Sequence, residues 1–176
     1  MRAFDWIAKH AVAQPDAPAI TDLLSKRSYT YAELHDRIER CALFLHERCG
    51  VGRGDRIALL MHNSSDMVEL IFACWRLGAI CVPMNWRLAV PEIAYILGDC
   101  APKALVHTPE FAENAREALA RLGDEVMLVE AADGGKCLYE GACAPPMAIF
   151  RRSSTASTIP GSSSTPAAPP GGQRVR

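Results

Sequence analysis

Seven cysteines and five histidines are the residues of this chain best suited to hold a metal, exchange disulfides or carry protons, and their spacing argues against all three uses. Cys41, Cys49, Cys74, Cys81, Cys100, Cys137 and Cys143 form an odd set without a C-x-x-C pair that would clamp zinc. Their scatter reads as reduced, mostly buried small apolar residues of a cytosolic protein. His10, His35, His46, His62 and His107 never fall at ligand spacing. The glycine cluster GVGRG, Gly50 to Gly54, invites a phosphate-loop reading. A dinucleotide fingerprint, however, follows a strand and opens a helix, whereas this cluster follows a helical pattern and precedes a strand, so a helix stop and turn is expected. Arg53, Gly54 and Asp55 spell a cell-adhesion tripeptide, which the absence of a secretion signal leaves unused. No G-x-S-x-G elbow, H-E-x-x-H pair or G-x-x-x-x-G-K-[ST] loop occurs.

The elements around these residues alternate regularly. Phe4 to Gln14 has helical spacing and stops at Pro15, and PAIT is a short strand. In SYTYAEL, Thr30 and Glu33 stand at capping-box spacing and open a helix whose Leu34, Ile38, Cys41, Ala42 and Leu45 share one face. Gly50 ends it. RIALLM, Arg56 to Met61, is short and uniformly apolar, as a strand buried on both faces should be. Ser64 or Ser65 caps the helix Asp66 to Leu77, which Gly78 terminates; packing is the expected role of Trp75 on that helix, while Trp86 lies in a loop beside Arg87. AICVPM is the next strand. A helix with Pro91 in its first turn is expected to end at Gly98. KALVH, a helix from about Glu110 to Leu122 and EVMLV repeat the unit. Strand and helix joined by short loops predict an α/β fold, a mainly parallel sheet with flanking helices.

The totals agree with that class. A chain of 176 residues with a net charge of −1 and 49% hydrophobic residues fits one compact domain and offers no polybasic face for nucleic acid or an anionic membrane. Met67 to Met84 is the most apolar stretch, but Glu69, Arg76, Gly78 and Pro83 interrupt it, so it reads as core and no transmembrane segment is expected. A cytoplasmic location follows from these readings. From about Gly134 the pattern fades, dividing the chain into an ordered part, 1–145, and a Ser/Thr/Pro/Gly-rich tail, 146–176, expected to be disordered.

The stretch from Tyr29 to His107 resembles the N-terminal region of the AMP-forming acyl-CoA synthetases, in the adenylate-forming superfamily of AMP-dependent synthetases and ligases. The landmarks are TYAEL, GVGRGDRIALL, LGAICVPMNWRL, and PEIAYIL followed by Asp99. Their order and spacing extend the likeness over Phe4 to about Val129, most of the chain. His62 departs from it, standing where the family commonly has Pro before Asn-Ser. The resemblance implies the first part of a large N-terminal domain. It also implies a reaction in which a carboxylic acid, fatty or aromatic, is activated by ATP with Mg²⁺ to an acyl-AMP and passed to the thiol of coenzyme A. The family carries this chemistry on a loop reading YTSGTTGRPKG, whose amides and Lys surround phosphate. That loop is due soon after residue 150 and does not occur in this chain.

The tail itself supplies a reason. Joining the third base of each codon from Ser157 onward to the first two bases of the next, with free choice of synonymous codons, rereads STIPGSSSTPAAPPGGQRVR as DDPWLILYTSGTTGRPKG. Ser-Thr yields Asp, Pro-Gly yields Trp, Ser164-Thr165 yields Tyr and Gln173-Arg174 yields Lys. A frame slip between about Tyr139 and Ser157, a mutation or a sequencing error, is therefore expected; the plain alternative for the tail is a Ser/Pro-rich flexible linker. The chain as written is expected to be inactive, with no catalytic, cofactor-binding or metal residue of its own and no productive binding of ATP, coenzyme A or Mg²⁺. The second reading is a stand-alone α/β binding or interaction module with a disordered tail.

Overall fold

The computed structural model describes residues 5–123, 126–131 and 148–150, the last three as backbone only. Asp5 accepts from the amide of Ala8 and caps helix α1, Trp6–Ala13. Strands β1, Pro18–Asp22, and β2, Arg27–Thr30, form an antiparallel hairpin. The sequence reading anticipated β1 but not β2, which is four residues long and carries Arg, Ser and Thr. What makes it a strand is its partner and the turn between them. The Asp22 carboxylate accepts from the amides of Leu24 and Ser25 and so folds that turn.

Helix α2, Tyr31–Cys49, opens on the expected capping box: the Thr30 hydroxyl accepts from the Glu33 amide, and the Glu33 carboxylate accepts from the Thr30 amide. Leu34, Ile38, Cys41, Ala42 and Leu45 are all buried, and Gly50 closes the helix at φ 63°. Strand β3, Arg56–Leu60, leads to α3, Ser65–Leu77, capped by Ser64 and ended by Gly78 at φ 68°. Strand β4, Ile80–Pro83, α4, Val90–Cys100, β5, Ala104–His107, α5, Ala112–Leu122, and β6, Val126–Glu130, complete the repeated unit. A single 3-10 turn, Pro109–Phe111, precedes α5.

The expected stop at Gly98 is a correction. Helix α4 runs through it to Cys100 and ends on Ala101, itself at φ 41°. A Cβ on Gly98 would lie 3.0 Å from Cδ2 of Leu122, so this glycine lets α4 approach α5 closely rather than turning the chain.

Five strands form one sheet in the order β4-β3-β5-β6-β7, where β7 is Ala148–Phe150. The first four are parallel and β7 is antiparallel to β6. β7 lies beyond 145, in the segment the sequence reading assigns to the tail; the rest of that segment, with Cys137, Cys143 and every residue of the reread tail, lies outside the described residues. Side chains alternate across the sheet. Ile57, Leu59, Ala104 and Val106 face α1, α2 and α3, whereas Ala58, Leu60, Leu105 and Leu128 face α4 and α5. No helix of the described residues is long and apolar enough to cross a membrane.

Candidate functional site at the carboxyl edge of the sheet

The GVGRG turn is structural. Gly52 donates to Asp55 Oδ2 at 2.8 Å, Lys103 Nζ meets the same oxygen at 3.0 Å and also the carbonyl of Gly50, and Gly54 donates to the carbonyl of Gly78. The Gly52 amide and then Lys103 hold the Asp55 carboxyl below the usual carboxylate range. The carboxylate of the Arg-Gly-Asp tripeptide is thus committed within the turn.

A more open constellation sits where the strands end. After β3 the chain passes to α3 on one face, and after the neighbouring β5 it passes to α5 on the other, so the sheet has its topological switch point between these strands. Crevices of this kind at the carboxyl ends of strands are where open α/β sheets take ligands. Three loops meet there. His62, just past β3, lies 4.4 Å from Trp86, just past β4, in an edge-on arrangement, and 5.2 Å from Phe111, past β5. Trp86 and Phe111 are 6.2 Å apart, Arg87 lies over the indole at 4.1 Å, and Glu110 approaches His62 Nε2 at 3.9 Å.

At the carboxyl end of β5 His107 is buried and donates from Nδ1 to the carbonyl of Thr108 at 2.9 Å. The Thr108 hydroxyl is buried without a hydrogen-bond partner among the described residues. The three rings pack on one another, with the Arg87 guanidinium over Trp86 and the Glu110 carboxylate beside His62, so the carboxyl edge of the sheet carries an aromatic cluster with both charges at its border. It contains no nucleophile paired with a base. Among the described residues no group of three or more His, Cys, Asp or Glu is disposed to hold a metal, and none forms a phosphate loop.

The sequence reading attached no function to His62 and left Trp86 open; the structure brings the two together. The missed signal is topological, since their loops become neighbours only through the strand order. Trp75, expected to pack, stands 6.0 Å from Phe72 on the same helix.

The second charged constellation is internal. Arg37 Nε donates to Glu69 Oε1 at 2.6 Å between α2 and α3, and Arg37 lies over the Tyr29 ring at 4.3 Å. Arg27 makes a two-pronged contact with Asp66, at 2.9 and 2.6 Å, and the Asp22 carboxylate accepts from the Ser65 amide. Burial alone would raise Asp22, but the amides of Ser65, Ser25 and Leu24 hold it down at about 2. These contacts tie the β1/β2 hairpin to α3 and position the first turn of that helix just beyond the switch point.

Comparison with known proteins agrees with this architecture. The model of the AMP-binding enzyme family matches residues 7–165, nearly the whole chain. The chain belongs to that family. Indoleacetate–CoA ligase of Aromatoleum aromaticum is 40% identical over 123 residues, 68% of this chain and 24% of that protein. A long-chain-fatty-acid–CoA ligase of Mycobacterium tuberculosis is 35% identical over 108 residues, 61% of this chain and 21% of that protein. The crystal structure of the N-terminal domain of FACL13 from Mycobacterium tuberculosis superposes with a TM-score of 0.68 at 32% identity, over 76% of this chain and 35% of that one. The chain therefore spans about a quarter of the length of these curated relatives.

Proposed function

We propose that the gene encodes an acid–CoA ligase that uses ATP, Mg²⁺ and coenzyme A to activate a fatty or aromatic carboxylic acid, and that the 176-residue chain does not catalyse this reaction by itself. The family match over residues 7–165 carries the first half of the reading. The absence of a YTSGTTGRPKG loop from this sequence carries the second. Residues 157–176 contain no Lys, and their prolines lack the amide hydrogens that phosphate oxygens need. The reread tail supports a displaced frame, because it restores that loop at the place the family requires.

Exposed apolar side chains, among them Trp6, Leu23, Leu24, Ile80 and Tyr95, are in keeping with a fragment that expects further partners, and poor solubility follows.

The test is ATP–pyrophosphate exchange with indoleacetate, ferulate and long-chain fatty acids, run on the 176-residue chain and on the polypeptide translated after the frame is restored. The first is expected to stay at the no-enzyme background and the second to exchange with at least one acid. Exchange by the 176-residue chain would overturn its inactivity. An inert but folded restored protein would overturn the ligase reading.

A further inference from the structure

Helix α3 turns its charges toward the protein. Arg27 of the hairpin donates twice to Asp66, at 2.9 and 2.6 Å, and Arg37 of α2 donates to Glu69. Arg76 donates to Asp5, the cap of α1, and to Glu39 of α2, each at 2.8 Å. The helix has no other charged residue. Leu70, Ala73 and Cys74 fill the core beneath it. Its opposite side is left to Val68, Ile71, Phe72 and Trp75, at the spacing of a single helix face. Ile71 is 38% exposed and the other three are half-buried. Trp6 of α1, 60% exposed, widens the patch with its ring 6.4 Å from that of Phe72.

The helices around it are built the other way. α2 presents Asp36 and Arg40 to solvent as a pair, and α5 does so with Glu117 and Arg121. A helix that is apolar on its outer side as well as on its inner side is a helix made to be buried. Strand β4, the end strand among the described residues, does not invite a cover of its own. The amides of Ile80 and Met84 donate to Asp55 and Leu59 across the sheet, so Cys81 and Pro83 face the open edge, and Pro83 has no amide hydrogen for a further strand. A cover for this corner therefore packs side chains on α3 rather than extending the sheet.

The proportions of the family point to one occupant. The solved N-terminal domain on which this chain superposes is matched over 35% of its length, which leaves about two thirds of one domain beyond the match. Elements of one domain share a hydrophobic core, and a third of it taken alone bares the faces that meet the remainder. We propose that the outward face of α3, with Trp6 beside it, is the seam on which the downstream two thirds of the synthetase's large domain packs. The inference rests on the displaced-frame reading above, which supplies that occupant.

Trypsin places the tryptophans in separate peptides, Trp6 in 3–9, Trp75 in 57–76 and Trp86 in 77–87. Hydroxyl-radical oxidation is read by mass spectrometry in the 176-residue chain and in the frame-restored protein, with an added reporter peptide fixing the radical dose. Trp75 is expected to oxidise several-fold more slowly in the restored protein, and Trp6 to slow with it. Ile71→Lys is expected to raise the soluble yield of the 176-residue chain, where the face meets water, and to lower the Tm of the restored protein, where it is buried. A restored protein that exchanges ATP and pyrophosphate while Trp75 oxidises as fast as in the 176-residue chain would sink this inference and leave the ligase reading standing. Unrelated sequence beyond the codon of Arg176 would remove the occupant and both readings with it. Protection of Trp75 already present in the 176-residue chain and lost on dilution would give the face to a second copy and also overturn the proposal.

Discussion

Arg37 and Glu69 meet between α2 and α3 with Nε 2.6 Å from Oε1, and the Glu69 side chain is 1% exposed. Burial pushes the Glu69 carboxyl up to about 7, against the pull of the Arg37 guanidinium beside it. Breaking one side of such a pair leaves the other charge buried. Arg37→Ala is therefore expected to cost about 3–5 kcal/mol in urea unfolding, well above the effect of Arg40→Ala at the exposed pair with Asp36.

The same carboxyl sets a pH dependence. Its folded value lies above the ordinary 4.5, so this group's favourable contribution is complete below about 4.5 and is lost as the pH rises to about 7. Asp22 has the opposite sign: its contribution is present above 3.8 and lost only as the pH falls toward about 2, and it stays constant across the Glu69 window. Urea midpoints of the wild-type chain should fall between pH about 5 and about 8, and that fall should be smaller in Glu69→Gln. Equal slopes in the two proteins would remove Glu69 as the cause.

Gly78 combines a φ of 68° with a Cβ site 3.2 Å from Cγ of Arg53, whereas Gly54, at φ 84°, has nothing within 4 Å of its Cβ site. Gly54→Ala should cost about 1–2 kcal/mol from the backbone alone. Gly78→Ala should cost more, because Arg53 must also move; an equal loss for both in chemical denaturation would show that the contact is relieved freely.

How far these features could be read without coordinates depended on their range. The Thr30 cap, the Gly50 and Gly78 stops and the buried run of β3 are local, and each is written within a few residues. Gly98 misled because a glycine near a helix end can serve either a turn or a close helix approach, and only Leu122, from another helix, distinguishes them. Strand β2 was invisible because Tyr29 is its one aromatic residue among Arg27, Ser28 and Thr30, too little for an apolar alternation, and the strand depends on β1. The cluster of His62, Trp86 and Phe111 depends on strand order, and the Arg37–Glu69 pair on how two helices face each other, so neither leaves a mark in any one window.

At the switch point, the Thr108 hydroxyl is buried without a partner among the described residues. Thr108→Val removes an unsatisfied polar group at nearly constant volume and is expected to leave stability unchanged or raise it by up to about 1 kcal/mol. A loss of more than about 1 kcal/mol in thermal or urea unfolding would mean that the hydroxyl is satisfied in solution.

The most direct measurement of the central claim is resequencing of the genomic DNA from the codon of Glu130 through that of Arg176 and well beyond it, at a depth that resolves single-base insertions in repetitive tracts. The account predicts synthetase coding sequence continuing past the codon of Arg176, reached through YTSGTTGRPKG in a frame displaced from that of Ser157 to Arg176. Unrelated sequence there, with the present frame confirmed, would contradict it and leave an α/β module with a Ser/Pro-rich tail.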